Sequence, residues 1–166
     1  GGTVMSVTSI RRSVVLLVAM TLMAIVAAAP ARSEIQLLKG QTLYVPAYSH
    51  IYHGDREVPF DLTVTLSIRN TDPDHAITIA SADYFDSNGK LIRRYVQKET
   101  KLAPMNSTRF VIKQSDRSGG SGASFIVKWQ SSVKVTPPLV ETVMISTATQ
   151  QGISFTSRGQ PIREED

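Results

Sequence analysis

The chain has 166 residues, of which 42% are hydrophobic and 19% charged, with a formal charge of +4 and no cysteine. The missing cysteine excludes disulfides, thiolate metal sites, a cysteine nucleophile and a lipid-bearing cysteine. The basic excess falls to +2 when Arg11 and Arg12 are set aside with the leader described next, too little for an electrostatic case for nucleic acid.

Met5 reads as a natural start, and from it the order is polar residues, Arg11 and Arg12, an uncharged run over 13–29, and Ala29-Pro30-Ala31. This is the three-part plan of a secretory signal peptide with an A-x-A exit, so residues 1–31 are expected to be leader and signal, and the protein to be periplasmic or secreted. The alternative is a retained anchor, although the uncharged run is shorter than the roughly 20 residues that span a bilayer. Residues 32–40 are a short lead-in, 41–157 one β domain, and 158–166 a polar tail expected to be loose.

Within the domain, residues 41–45 read as a first strand closed by Pro46, ending there or running along an edge because proline lacks a ladder donor. Tyr48-Ser-His-Ile-Tyr-His53 is rich in polar aromatic groups; in extended form Tyr48, His50 and Tyr52 share one face and Ser49, Ile51 and His53 the other. Residues 61–70 alternate strictly, with Leu62, Val64, Leu66 and Ile68 on one face and Thr63, Thr65, Ser67 and Arg69 on the other. That is a half-buried strand, and its apolar face needs a second layer. Asn70-Thr-Asp-Pro-Asp-His75 is a turn by its Asx and proline chemistry. The strand over 77–85 changes apolar phase from Ile77 and Ile79 to Ala82 and Tyr84, which predicts a bulge near Ala80 or Ser81.

Asp86-Ser-Asn-Gly89 is a hairpin signal, because Asn-Gly readily takes positive φ. The return strand, 91–96, carries Arg93 and Arg94 on opposite faces, as an edge strand does. Further strands are predicted over 108–113, with Phe110 and Ile112 inward, over 124–130, with Phe125, Val127 and Trp129 inward, and over 140–147 and 152–156. No helical period is sustained after the leader. The fold class predicted is all-β, an antiparallel two-sheet immunoglobulin-like sandwich of about eight strands.

The candidate sites are weak. Gly119-Gly-Ser-Gly122 suggests a phosphate cradle, but such loops open a helix, and alanine stands at 123 where a nucleophile elbow needs glycine; it reads as a turn or mobile loop, alternatively as a partner loop. His50, His53 and His75, with Asp72 or Asp74, could supply metal ligands, yet residues three apart on a strand point to opposite sides. Neither a metal, a cofactor nor a catalytic set is therefore expected. Lys90, Arg93, Arg94, Lys98 and Lys101 read as a solubilising edge, with contact to an anionic surface as the alternative. Glu141 lies in an apolar strand in phase with Val143 and Ile145 and needs a partner if buried.

Several stretches together are similar to a known family: Tyr48-Ser-His-Ile-Tyr52, the hairpin over 84–91, Leu102-Ala-Pro, Gly119-Gly-Ser-Gly-Ala123 with 125–129, Glu141-x-Val-Met, and Gln151-Gly-Ile-Ser-Phe155. They resemble a bacterial exported family designated domain of unknown function 3124, over about residues 41–162, a resemblance that implies no activity. A looser likeness over 64–107 resembles the water-stress and late-embryogenesis β-sandwich domains, and implies a stress-protective or structural role as the alternative. The leading expectation is a non-catalytic binding module for a protein or cell-envelope component. Its speculative binding residues are Tyr48, His50, Tyr52 and His53 with Ser118, Gly119, Gly120, Ser121 and Gly122, where an aromatic body with a polar tip suits a partly wet contact surface.

Overall fold

A computed structural model describes residues 35–147 and 152–165. The chain divides between Glu34 and Ile35, so the signal peptide, its cleavage site after Ala31 and the retained-anchor alternative lie outside the described residues.

The described residues form an all-β fold of twelve strands in chain order: β1 (Leu38–Pro46), β2 (His50–His53), β3 (Val58–Asp61), β4 (Thr63–Arg69), β5 (Ile77–Phe85), β6 (Leu91–Arg94), β7 (Thr100–Leu102), β8 (Ser107–Ile112), β9 (Ser124–Val135), β10 (Leu139–Ser146), β11 (Ile153–Arg158) and β12 (Gln160–Glu165). One sheet has the order β12-β1-β9-β5-β6, with β7 also on β5. The second is β11-β10-β4-β8, and β2 and β3 form a separate two-stranded sheet. All pairings are antiparallel. The expected number of about eight is exceeded because β2, β3 and β7 are too short to show a period and β12 is exposed throughout.

The alternation over 61–70 dictates the layering. Leu62, Val64, Leu66 and Ile68 are each fully buried, and they share one apolar cluster with Val45, Ile79, Tyr84, Phe125, Val127 and Trp129 of the larger sheet. Thr63 and Thr65 are half-buried, Arg69 is exposed, and Ser67 is buried, accepting a hydrogen bond from Arg69 Nε at 3.2 Å. In β10 the inward set is Val140, Thr142, Met144 and Ser146. Glu141 therefore stands half-buried on the outer face, and the need for a buried partner does not arise.

The phase change in β5 is a bulge: the register against β9 shifts between Ile79 and Ser81, which leaves Ile77, Ile79, Ala82 and Tyr84 all facing the core. Strand β6 is an edge, as its arginines predict. The hairpin between β5 and β6 differs in detail. Of Asn88 and Gly89 only Gly89 takes a positive φ, +77°, while Gly89 N–H donates to Asp86 O at 3.0 Å and Asp86 N–H to Lys90 O at 2.9 Å. This is a type I turn followed by a left-handed glycine. Asp86 Oδ1 stabilises it by accepting from the backbone N–H of Asn88 and Lys90.

Two expectations fail at the chain's ends. Strand β1 closes at Pro46 as expected, but it begins at Leu38, inside the expected lead-in, and is interior, with β9 on one side and β12 on the other. Residues 160–165, expected as part of a loose polar tail, are β12. Gly159 turns the chain from the edge of one sheet to the edge of the other, with its N–H on Val140 O at 2.8 Å. A strand exposed throughout shows no alternating apolar signal, yet ladder hydrogen bonds to β1 need no buried side chain.

At the end where β4 closes, Asn70 Nδ2 donates to the carbonyls of His75, Leu102 and Ala103, and the buried Asp72 carboxylate accepts from the backbone N–H of Asp74, Thr136 and His75. These bonds, led by that from Asp74, hold its pKa at about 2. A carboxyl held below its ordinary value contributes stability in full above about pH 4, and the contribution is lost as the pH falls towards about 2. Melting temperatures of wild type and Asp72→Asn should converge over that window, the wild type losing more; parallel curves would show that Asp72 is not the titrating group.

Candidate functional site

The two candidate segments meet at the opposite end of the sandwich, before β4 begins. After β1 the chain passes through Ala47, whose N–H bonds Ala123 O at 2.9 Å, and then folds the β2–β3 hairpin, with His50 opposite Asp61 and Tyr52 opposite Pro59. A two-stranded hairpin is marginal alone, and three anchors hold this one. Phe60 is buried in the common core. Ser49 O accepts from Leu62 N–H at 2.9 Å. Arg117 Nη2 reaches Asp61 Oδ2 at 2.5 Å.

Ser49 is the joint between the segments. Fully buried, it donates its hydroxyl proton to Gly120 O at 2.9 Å and its backbone N–H to the same oxygen at 3.2 Å. With that proton committed, the contact between Ser49 Oγ and His50 Nδ1 at 3.3 Å has the ring N–H as its donor, and His50 Nε2 shares a hydrogen bond with the Tyr52 hydroxyl at 3.0 Å. The rings of His50 and Tyr52 stand perpendicular, 5.1 Å apart, with Tyr52 54% exposed. Tyr48 packs edge-on against Phe155 at 5.9 Å and His53 against Phe60 at 6.1 Å.

The glycine-rich loop is bonded on both sides. Gly120 N–H closes a turn onto Arg117 O. Gly119 O accepts from both the N–H and the hydroxyl of Ser87, and Ser87 Oγ accepts from Gly122 N–H at 2.9 Å. Ser118 donates both its hydroxyl and its N–H to Asp116, which lowers the Asp116 pKa, helped by Arg93 at 3.7 Å. Gly119 is buried because it lies against Tyr84: a Cβ there would sit 1.9 Å from Tyr84 Oη. Burial pushes the Tyr84 phenol upward. Ser121 is half-buried and Gly122 exposed.

Thus Tyr48, His50, Tyr52, His53 and residues 118–122 lie at one end, joined through Ser49. The loop is a tied turn, and its amides open a strand, β9, instead of a helix. The residues missed in the sequence are Ser49, Ser87, Asp61 and Arg117. Ser49 alone carried a signal, a hydroxyl on the same side of the extended segment as Ile51. The histidines are not gathered: His75 lies beyond the far end of β4, with Nδ1 at 3.2 Å from Asp72 Oδ1. Among the described residues no group of three or more His, Cys, Asp or Glu is placed to hold a metal ion.

The fold and this loop cluster define an all-β sandwich with a polar-aromatic hairpin at one end. The chain matches the family described as protein of unknown function (DUF3124) over residues 40–162, and belongs to it. No curated protein matches the chain. A solved structure, the crystal structure of Thermotoga maritima 1070, is similar at 17% identity, covering 72% of this chain and 92% of that one with a TM-score of 0.44.

Gly119→Ala is expected to destabilise the protein by about 1–3 kcal/mol, the cost of overpacking a filled site, measured by urea denaturation. Gly119→Ala combined with Tyr84→Phe should recover part of that loss, whereas an unaltered loss would show that the contact with Tyr84 is not the cause.

Proposed function

We propose that the chain is an exported, non-catalytic β-sandwich module that binds a protein or a cell-envelope component at the end carrying the β2–β3 hairpin. The observation that carries this reading is the bond from Ser49 to Gly120, which joins two polar segments 71 residues apart into one surface. Function collects on loops held by a rigid scaffold, and here the buried Ser49 and the exposed Ser87 tie the two segments down through their hydroxyls. Export is supported by the leader pattern over 1–31 and implies a periplasmic or secreted location.

The chemistry supports binding over catalysis. A serine beside an imidazole is the beginning of a nucleophilic pair, but Ser49 is fully buried, donates its proton to a carbonyl and accepts from the ring, the reverse of what a general base requires. Asp61, opposite His50 in register, bonds Arg117 and is not engaged in orienting the imidazole.

The intact mass of the exported protein should correspond to a chain beginning near Arg32; a full-length, membrane-retained species would overturn export. The triple variant His50→Ala, Tyr52→Ala, His53→Ala should melt within a few degrees of wild type, since two of these side chains are exposed, yet recover less of any partner from envelope extract. Lost stability with unchanged recovery would mean that the hairpin is structural only.

A further inference from the structure

We propose that a second site, in the seam between the two large sheets, takes the aliphatic chain of a small carboxylate-bearing ligand of the fatty-acid class. The chain leaves β11 through Gly159 to enter β12 on the other sheet, and a cavity of about 390 Å³ opens beside this crossing. Leu43 and Pro161 line it from one sheet and Leu139 and Val140 from the other, with Pro137 and Pro138 between them in sequence and space. None of its lining residues belongs to the β2–β3 hairpin or to the glycine-rich loop, so the site is separate from the binding end proposed above.

The lining selects an apolar body, because its uncharged polar groups are already engaged within the fold. Gln41 Nε2 donates to Glu164 Oε1 at 3.0 Å, and Gln41 Oε1 accepts from Trp129 Nε1 at 3.3 Å. Thr71 donates its hydroxyl proton to Pro137 O at 2.9 Å, and Gly159 its N–H to Val140 O at 2.8 Å. The three prolines have no N–H to offer. A polar ligand would give up its bonds to water here without replacement, which is costly, whereas an aliphatic chain removes apolar surface from water on both sides of the contact. The volume lies within the range of about 300–1,000 Å³ usual for small-molecule sites.

Arg158 selects the head group. It lines the same cavity and forms no ion pair among the described residues. Glu141 stands opposite it in the β10–β11 ladder without pairing with it, and Glu164 is held by Gln41. Arg158 is the one charged residue of the lining, so it matches a ligand with a single negative charge, and its planar fork fits a carboxylate with two parallel bonds. The aliphatic chain then lies along Leu43, Val140 and the prolines while the carboxylate stays at the mouth, where Arg158 is exposed.

Trp129 is the only tryptophan of the chain and is one hydrogen bond from the cavity through Gln41, so its fluorescence reads occupancy. Titration of the purified protein with dodecanoate, below the concentration at which it forms micelles, should give a saturable change in Trp129 emission. Dodecanol should bind about tenfold more weakly, the effect of losing one charge-assisted bond, and Arg158→Gln should bring dodecanoate to the affinity of dodecanol. Leu139→Glu puts a carboxylate into the lining at a half-buried position and should abolish the dodecanoate response, with melting curves verifying that the variant is folded. No saturable response to either compound would overturn the inference, as would equal affinity of the wild type for the two, or dodecanoate binding unchanged in Arg158→Gln. A wild type that sediments as a dimer and responds to neither compound would place a second copy in the seam instead, and would leave the reading of the hairpin end untouched.

Discussion

Burial of one face of β4 is the constraint on which the rest depends. Without cysteine, the domain is held together by burial and hydrogen bonding, and β4 with the residue just before it supplies four fully buried side chains in Leu62, Val64, Leu66 and Ile68. Flanked by β10 and β8, it is interior to its sheet and must be covered by a second layer. That layer is built from β1, β9 and β5, whose inward residues Val45, Val127, Trp129 and Ile79 are equally buried. The bulge in β5 belongs to the same constraint: without the extra residue, Ala82 and Tyr84 would face solvent when Ile77 and Ile79 face the core.

Where the strands stop, their backbone groups still need partners, and polar side chains provide them at both ends. At one end Asn70 and Asp72 together engage carbonyls and amides from 74, 75, 102, 103 and 136, tying the turn after β4 to the connections before β8 and β10. At the other, Ser87 and Ser49 do the same for the glycine-rich loop. Charge-assisted bonds occur at both ends, on Asp72 at the first and on Asp116 and the Asp61 and Arg117 pair at the second.

The legible parts of the sequence were those with a period. Strands β4, β5, β8 and β9 follow from alternation, the bulge from a broken alternation, and the β6 edge from Arg93 and Arg94. Strand β12 was illegible because all its residues are exposed and its cohesion is ladder bonding to β1. The interior position of β1 was illegible for the same reason, since its second neighbour is β12. At the candidate site the aromatic segment and the glycine loop could be named from composition, but not their joint. A buried serine is recognised by what its hydroxyl meets, and Gly120 is too distant in sequence for local pattern to reveal. Of the two readings of the loop, turn or mobile loop, the bonds show a turn, and its tie to Ser87 could not be read because Ser87, in the hairpin turn, gave no sign of bonding a loop 32 residues away.

The β2–β3 hairpin belongs to neither large sheet, which explains both its exposure and its anchoring. Strands within a sheet have their side chains committed to neighbours, whereas a separate hairpin can present rings on an open surface. That freedom leaves it with four-residue strands and few ladder bonds, insufficient for an isolated hairpin. Phe60 in the core, Ser49 on Gly120 and the Asp61 and Arg117 pair make up the deficit. The exposed ion pair contributes little on its own, so the main restraint falls on Phe60 and Ser49. Ser49 is the more informative of the two: an apolar residue would fill a buried position, but only a hydroxyl both fixes the loop and extends the hydrogen bonding outward to His50 and Tyr52.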